Sequence, residues 1–169
     1  MTPETLANSI ADLKAPSYEH DILVWLLVGE RLGVPIADEE GYLRNRRDFH
    51  FKPSEQWNGR TLEESLEWCR THNKDEIQRC AYDWGVPHFT GNLQDATMLI
   101  PKGWKMTFLG EWDKRPGKKA GPWVARLSGP KIKAAKGTDS RASAMGRYLA
   151  AAALSSACVR AGIHNGDFE

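Results

Sequence analysis

Cysteine is scarce in this chain: Cys69, Cys80 and Cys158 are the three in 169 residues, an odd number with no close spacing. That excludes a disulfide framework as the source of the fold, and makes reduced thiols and a cytoplasmic location the expectation. Long apolar runs are missing as well. None exceeds seven residues, the length of Ile22 to Val28, where a membrane-spanning helix needs about twenty. After Met1-Thr2-Pro3-Glu4 there is no basic stretch with an apolar core and a small-residue cleavage site, so secretion is not expected. Internal repeats and low-complexity linkers are also absent. The 41% hydrophobic and 27% charged content is that of an ordinary globular chain, and its length predicts a single domain.

The sequence also lacks the patterns that announce common chemistries. It has no G-x-S-x-G, no G-x-x-x-x-G-K-[ST] and no H-E-x-x-H. Gly129-Pro130-Lys131 through Gly137-Thr138 brings glycines and lysines together, but Pro130 and the residue order do not make a phosphate cradle. Cys69, His72, Cys80 and His88 are zinc-binding residue types at a spacing that fits neither a ribbon nor a finger. Both cysteines fall on apolar helix stripes, so buried thiols are expected and no metal. His88-Phe89-Thr90 is one half of a two-histidine phosphodiesterase signature whose second half is absent. Thr90 reads instead as a helix cap and His88 as a surface residue. Pairs such as Glu39-Glu40 and Glu63-Glu64 belong to solvated loops or helix starts. No cofactor is called for, and the expectation is a protein that is not an enzyme.

What is present is an uneven distribution of charge. The net charge is +1, yet residues 1–100 hold ten Lys/Arg against seventeen Asp/Glu, and residues 101–169 hold thirteen against five. From Lys114 to Lys136 there are eight basic residues, Lys114, Arg115, Lys118, Lys119, Arg126, Lys131, Lys133 and Lys136, without one acid. Such a stretch suggests an anionic partner. Its bland alternative is a solvated loop and a charged edge.

The N-terminal part, to about residue 85, reads as helical. Thr2-Pro3-Glu4 starts a helix to about Lys14. Ser17 starts a second to about Leu32, closed by Gly33 and Pro35. Ile22 to Val28 alone would suit a strand, but its continuation into Gly29-Glu30-Arg31-Leu32 favours a helix, the most buried of the fold. Residues 36–60 follow neither period and read as a surface excursion. Thr61-Leu62-Glu63-Glu64 is a capping box. Asn73-Lys74-Asp75-Glu76 starts the next helix, so the two form a helical hairpin.

From about residue 86 to 162 an α-β-α core is expected. Asn92 starts a short helix ending before Pro101. Trp104 to Leu109 alternates as a strand and Trp123 to Leu127 returns, making an antiparallel hairpin with a basic tip. Lys131 to Lys136 adds a weak edge strand. A last helix runs from Thr138 or Asp139 through Arg160, stopped by Gly162, with Ala142, Met145, Leu149, Ala152, Ala153, Ser156 and Ala157 as its small-residue face. The fold class is therefore α+β, a small antiparallel sheet of two to three strands against helices, resembling an α-β-α sandwich.

Trp84, Val86-Pro87-His88-Phe89-Thr90, Leu93-Gln94-Asp95-Ala96, Pro101-Lys102-Gly103-Trp104, the return at Trp123-Val124-Ala125-Arg126-Leu127 and the alanine-rich stretch Ala142 to Cys158 occur in an order that resembles the phage ABA sandwich domain family. Those are small α-β-α proteins of bacteriophages and prophages, and the resemblance covers about half of the chain. The hairpin loop Asp113 to Gly121 and the excursion Ile36 to Arg60 are longer than that pattern. The resemblance implies a phage origin and a fold, no catalytic residues, and the cytoplasm of an infected bacterium as the place of action. Small phage accessory proteins bind, block or sequester host molecules.

The candidate ligand-binding residues form two clusters. Trp112, Lys114, Arg115, Lys118, Lys119, Trp123 and Arg126 surround the hairpin tip, where indoles suit stacking on a base and cations suit a phosphate. Arg44, Arg46 and Arg47, near Tyr42 and Phe49, are placed for bidentate phosphate contact. Trp25, Trp68 and Trp84 are expected on buried helix faces, leaving Trp57, Trp104, Trp112 and Trp123 for a binding surface. The expectation is a binding protein, without turnover, that sequesters an anionic host ligand such as a nucleotide immune signal, its site completed in a homo-oligomer. Two alternatives stand beside it: a nucleic-acid-binding accessory protein, and an inhibitor of a host defence protein whose acidic N-terminal half does the docking.

Overall fold

The computed structural model describes residues 1–32, 43–44, 50–51, 57, 60–111, 122–130, 141–146 and 149–168. They form an α+β fold in two compact units, Met1–Ser17 with His88–Glu169, and Tyr18–Pro87. No helix among the described residues is long and apolar enough to cross a membrane.

The first unit is assembled from both ends of the sequence. Helix α1, Pro3–Ala11, begins as its residues dictate, with the Thr2 hydroxyl accepting from the Thr5 amide and proline in the first turn. After the short α5, Leu93–Thr97, come β3, Lys105–Glu111, β4, Trp123–Ser128, β5, Arg141–Gly146, and α6, Ala150–Asn165. The strands form one antiparallel sheet in the order β3-β4-β5. In its register Phe108 pairs with Arg126, Glu111 with Trp123, and Trp123 with Gly146. A bulge between Met106 and Phe108 leaves Thr107 as the extra residue of β3.

Helix α6 packs on β4 and β5 and against α1 and α5. All of its residues from Ala151 to Val159 are buried. Small side chains permit this close approach, and two hydroxyls use the buried surface for hydrogen bonds. Ser155 Oγ donates to the Phe89 carbonyl at 2.8 Å and Ser156 Oγ to that of Ala7 at 2.7 Å. At the exposed end Arg160 joins Glu4 at 3.1 Å and also donates to Asn8 Oδ1.

Three expectations are corrected here. Residues 141–146 are a strand and not the start of the last helix, because Arg-Ala-Ser-Ala-Met-Gly extends the ladder of β4 and the helix begins only at Ala150. Gly162 does not stop that helix. It lies inside, where an added Cβ would come within 2.6 Å of the Phe168 ring, and the left-handed cap is Gly166 at φ 73°. Thr90 does not cap α5, a role taken by Asn92. Thr90 is fully buried, and its hydroxyl accepts from the Ser17 amide at 2.9 Å and donates to the Ser17 carbonyl at 3.3 Å. The expected strand over Lys131 to Lys136 lies outside the described residues.

The second unit contains α2, Tyr18–Leu32, α3, Leu62–His72, and α4, Ile77–Asp83, with the two-residue strands β1, Leu43–Arg44, and β2, His50–Phe51, paired antiparallel. Helix α3 carries the capping box in full: Thr61 Oγ1 accepts from the Glu64 amide and Glu64 Oε2 from the Thr61 amide. Helices α3 and α4 form the expected hairpin, joined at Asn73, whose side chain accepts from the Asp75 amide. Helix α2 presents Ile22, Val24, Trp25 and Val28 to the interior but leaves Leu26 38% exposed. The more completely buried helix is α6, since alanine and serine let it be enclosed on several sides. Arg70 ties this unit together through Glu19, at 2.7 Å from α3 to α2.

Candidate functional site on the sheet

Strand β4 alternates, so Trp123, Ala125 and Leu127 point to one face of the sheet, and Val124, Arg126 and Ser128 to the other. Ala125 and Leu127 are fully buried, which identifies their face as the one covered by α6. Arg126 is exposed on the opposite face. Trp123 and Arg126, expected together in one cluster, therefore belong to opposite faces, Trp123 half-buried and Arg126 open.

Arg126 meets Phe108, which the alternation of Trp104 to Leu109 marks only as a strand residue. The two are cross-strand partners, with the Arg126 guanidinium carbon over the Phe108 ring at 5.6 Å from its centre. Phe108 is 43% exposed, and an added Cβ on Gly110 would lie 2.9 Å from its ring. Glycine at 110 thus lets the ring lie down along its own strand. Thr107 Oγ1 donates to the Arg126 carbonyl at 3.1 Å, which links the bulge to β4. An exposed cation–π pair is worth about 0.5–1 kcal/mol. What it does chemically is hold a planar cation beside an accessible aromatic edge, with exposed Lys105 at the start of the same strand.

The hairpin leaves this sheet at Glu111 and returns to it by Trp123. Trp112, Lys114, Arg115, Lys118 and Lys119 lie outside the described residues, as do Arg46 and Arg47 of the other cluster. The Arg44 backbone is in β1, opposite His50, within the second unit.

Two tryptophans expected at a binding surface are core residues. Trp57 is 1% exposed, with Nε1 donating to Asp83 Oδ2 at 2.8 Å. Trp104 is 7% exposed, with Nε1 donating to Asn165 Oδ1 at 3.4 Å and an added Cβ on Gly129 only 2.4 Å from its ring. In both the N–H has a protein partner, so the indole can be buried without an orphan donor. Of the three expected on buried faces, Trp25 is buried, whereas Trp68 and Trp84 are half-buried. Trp68 stacks on His72 at 5.1 Å and 7° and has the Arg60 guanidinium 5.2 Å from its ring centre. The i, i+4 spacing of Trp68 and His72 was the signal for that stack.

The cysteines are buried and free. Cys69 and Cys80 lie beside each other on α3 and α4, where burial pushes both thiols up, Cys80 to about 12, so neither is a thiolate near neutral pH. Among the described residues no group of three or more His, Cys, Asp or Glu is placed to hold a metal ion. Burial pushes the His20 imidazole down, against the raising effect of Glu19 and Asp21. The hydrogen bond with Tyr82 is the main reason why the Tyr18 phenol is held up. A cavity of about 210 Å³ opens between the start of α1 and the end of α6, lined by Thr2, Pro3, Glu4, Ile163, Gly166 and Phe168. It contains none of the candidate residues. Compared with known proteins, the chain matches no family model, no curated protein and no solved structure.

Proposed function

We propose that this chain is a binding protein without turnover, and that the sheet face bearing Phe108 and Arg126 takes an anionic ligand with an aromatic base, a nucleotide. One observation carries the reading: an exposed aromatic ring and a guanidinium are cross-strand partners on the face opposite α6. Base stacking and phosphate pairing need that combination. In sequence, Lys114, Arg115, Lys118 and Lys119 fall between Glu111, the last residue of β3, and Trp123, the first of β4, and their charge supports an anionic ligand. The setting implied by the resemblance is a phage accessory protein that sequesters a host nucleotide signal in the infected cell.

The test is titration of the purified chain with mononucleotides, cyclic oligonucleotides and a short single-stranded DNA, followed by native mass spectrometry before and after heating. A small nucleotide should bind and be recovered unaltered on heating. Arg126→Ala and Phe108→Ala should each weaken binding about tenfold, the scale of one stacking or charged hydrogen-bond contact, and Lys118→Glu with Lys119→Glu should abolish it. Tight binding of the single strand alone, steeply lost with salt, would identify the nucleic-acid reading instead. Failure to bind any of these, with inhibition of a host protein surviving the lysine reversals, would leave the acidic half as the working surface.

A further inference from the structure

We propose that Lys105 and Arg126 form a phosphate subsite on the sheet face opposite α6, suited to the terminal monoester of a nucleotide whose base lies on Phe108. What the phosphate is attached to rests on the nucleotide reading, while the subsite itself rests on the register. Lys105 and Phe108 are three residues apart, and in a regular strand an odd spacing sends two side chains to opposite faces. The bulge changes that. Lys105 pairs with Ser128 and Phe108 with Arg126, so three steps along β3 match two along β4. Arg126 and Ser128 share a face, and the extra residue Thr107 brings Lys105 to it as well. Bulges beside functional sites re-aim side chains in this way.

Two cross-strand rows result. The row of Lys105 and Ser128 continues on β5 at Arg141, and that of Phe108 and Arg126 at Ser143. Three of these six positions are basic and none is acidic, while Glu111, paired with Trp123, belongs to the α6 face. Lys105 and Arg126 are exposed and are diagonal neighbours on adjacent strands, about 7–8 Å apart, a span that long side chains bridge. An ammonium and a guanidinium can therefore hold one group between them, with a hydroxyl available from Ser128. A phosphate monoester carries a charge of about −1.5 to −2 at pH 7, which two cations balance. A diester carries a single charge and leaves one cation unmatched. Because the Arg126 guanidinium also lies over the Phe108 ring, one side chain joins the stacking surface to the anion subsite.

Titration of the full chain with inorganic phosphate at low salt, followed by amide NMR shifts, reads the subsite without a base. The wild type should bind, and Lys105→Ala should weaken binding about tenfold, the loss of one charged hydrogen bond. Lys105→Arg should stay within about threefold of the wild type. Lys14→Ala, which removes an exposed cation after α1, should stay within about twofold, so that charge in general is not the cause. With adenosine monophosphate the loss in Lys105→Ala should again be about tenfold, with adenosine there should be none, and the cyclic diester should bind about tenfold more weakly than the monoester. Phosphate bound equally by the wild type and Lys105→Ala, or not at all by the wild type, overturns the subsite, as does a cyclic diester held as tightly as the monoester. Phosphate bound through Lys105 without added affinity for adenosine monophosphate supports the subsite and removes the nucleotide reading instead.

Discussion

Trp57 contributes to the helical unit twice, through the area of its buried indole and through the bond from Nε1 to Asp83. Trp57→Phe keeps most of the area and removes the donor from a carboxylate that also has Arg79 at 3.8 Å. It should cost about 1–3 kcal/mol, read from urea unfolding. Phe89 is fully buried in the other unit, so Phe89→Ala should cost about 3–5 kcal/mol by the same measurement. The thiols give a different readout. Because burial keeps Cys69 and Cys80 protonated and all three cysteines are enclosed, an aromatic disulfide reagent should titrate none of them rapidly in the native protein and all of them in denaturant. Fast labelling of the folded chain would show that the α3–α4 interface opens readily.

At the scale of elements, the helix starts with a polar cap were legible, the start of α6 at Ala150 was not, and the sheet only partly so. Thr2, Thr61, Asn73 and Asn92 each cap as expected, since a cap is a bond between neighbours two or three residues apart. Thr61→Ala removes half of the capping box and should cost about 1 kcal/mol. Strand β5 escaped because Arg141 to Gly146 is rich in alanine and runs towards a genuine helix. Only pairing with β4 tells the two apart, and pairing is not a local property. The site followed the same rule. Arg126 could be singled out as one cation in a basic stretch, but Phe108 is exposed because of a bulge, an edge position and a glycine two residues on. The burial of Trp57 and Trp104 is not legible locally, since nothing in the neighbouring sequence reveals that Asp83 and Asn165 accept from their N–H groups.

For the whole molecule, charge divides with the two units. The sheet unit holds fourteen Lys/Arg against eight Asp/Glu, net +6, and the helical unit nine against fourteen, net −5. Anion binding should therefore fall with salt more steeply than the overall +1 suggests. Stability should depend on pH through His20. Its folded pKa lies below the ordinary 6.5, so the unfolded chain takes up the proton first. The contribution is fully present above that value and is lost as pH falls through it towards the folded pKa. Urea midpoints at about pH 7.5 and about pH 5 should differ more for the wild type than for His20→Gln. Finally, the reciprocal bonds between Ser17 and Thr90 mean that the polypeptide departs for residues 18–87 and comes home at nearly one point. Evolution or an engineer can treat such a junction as a socket. Replacing that stretch by a Gly-Ser bridge of about four residues should yield a miniature protein in which α1, the strands and α6 still assemble, a result that proton NMR dispersion would reveal at once.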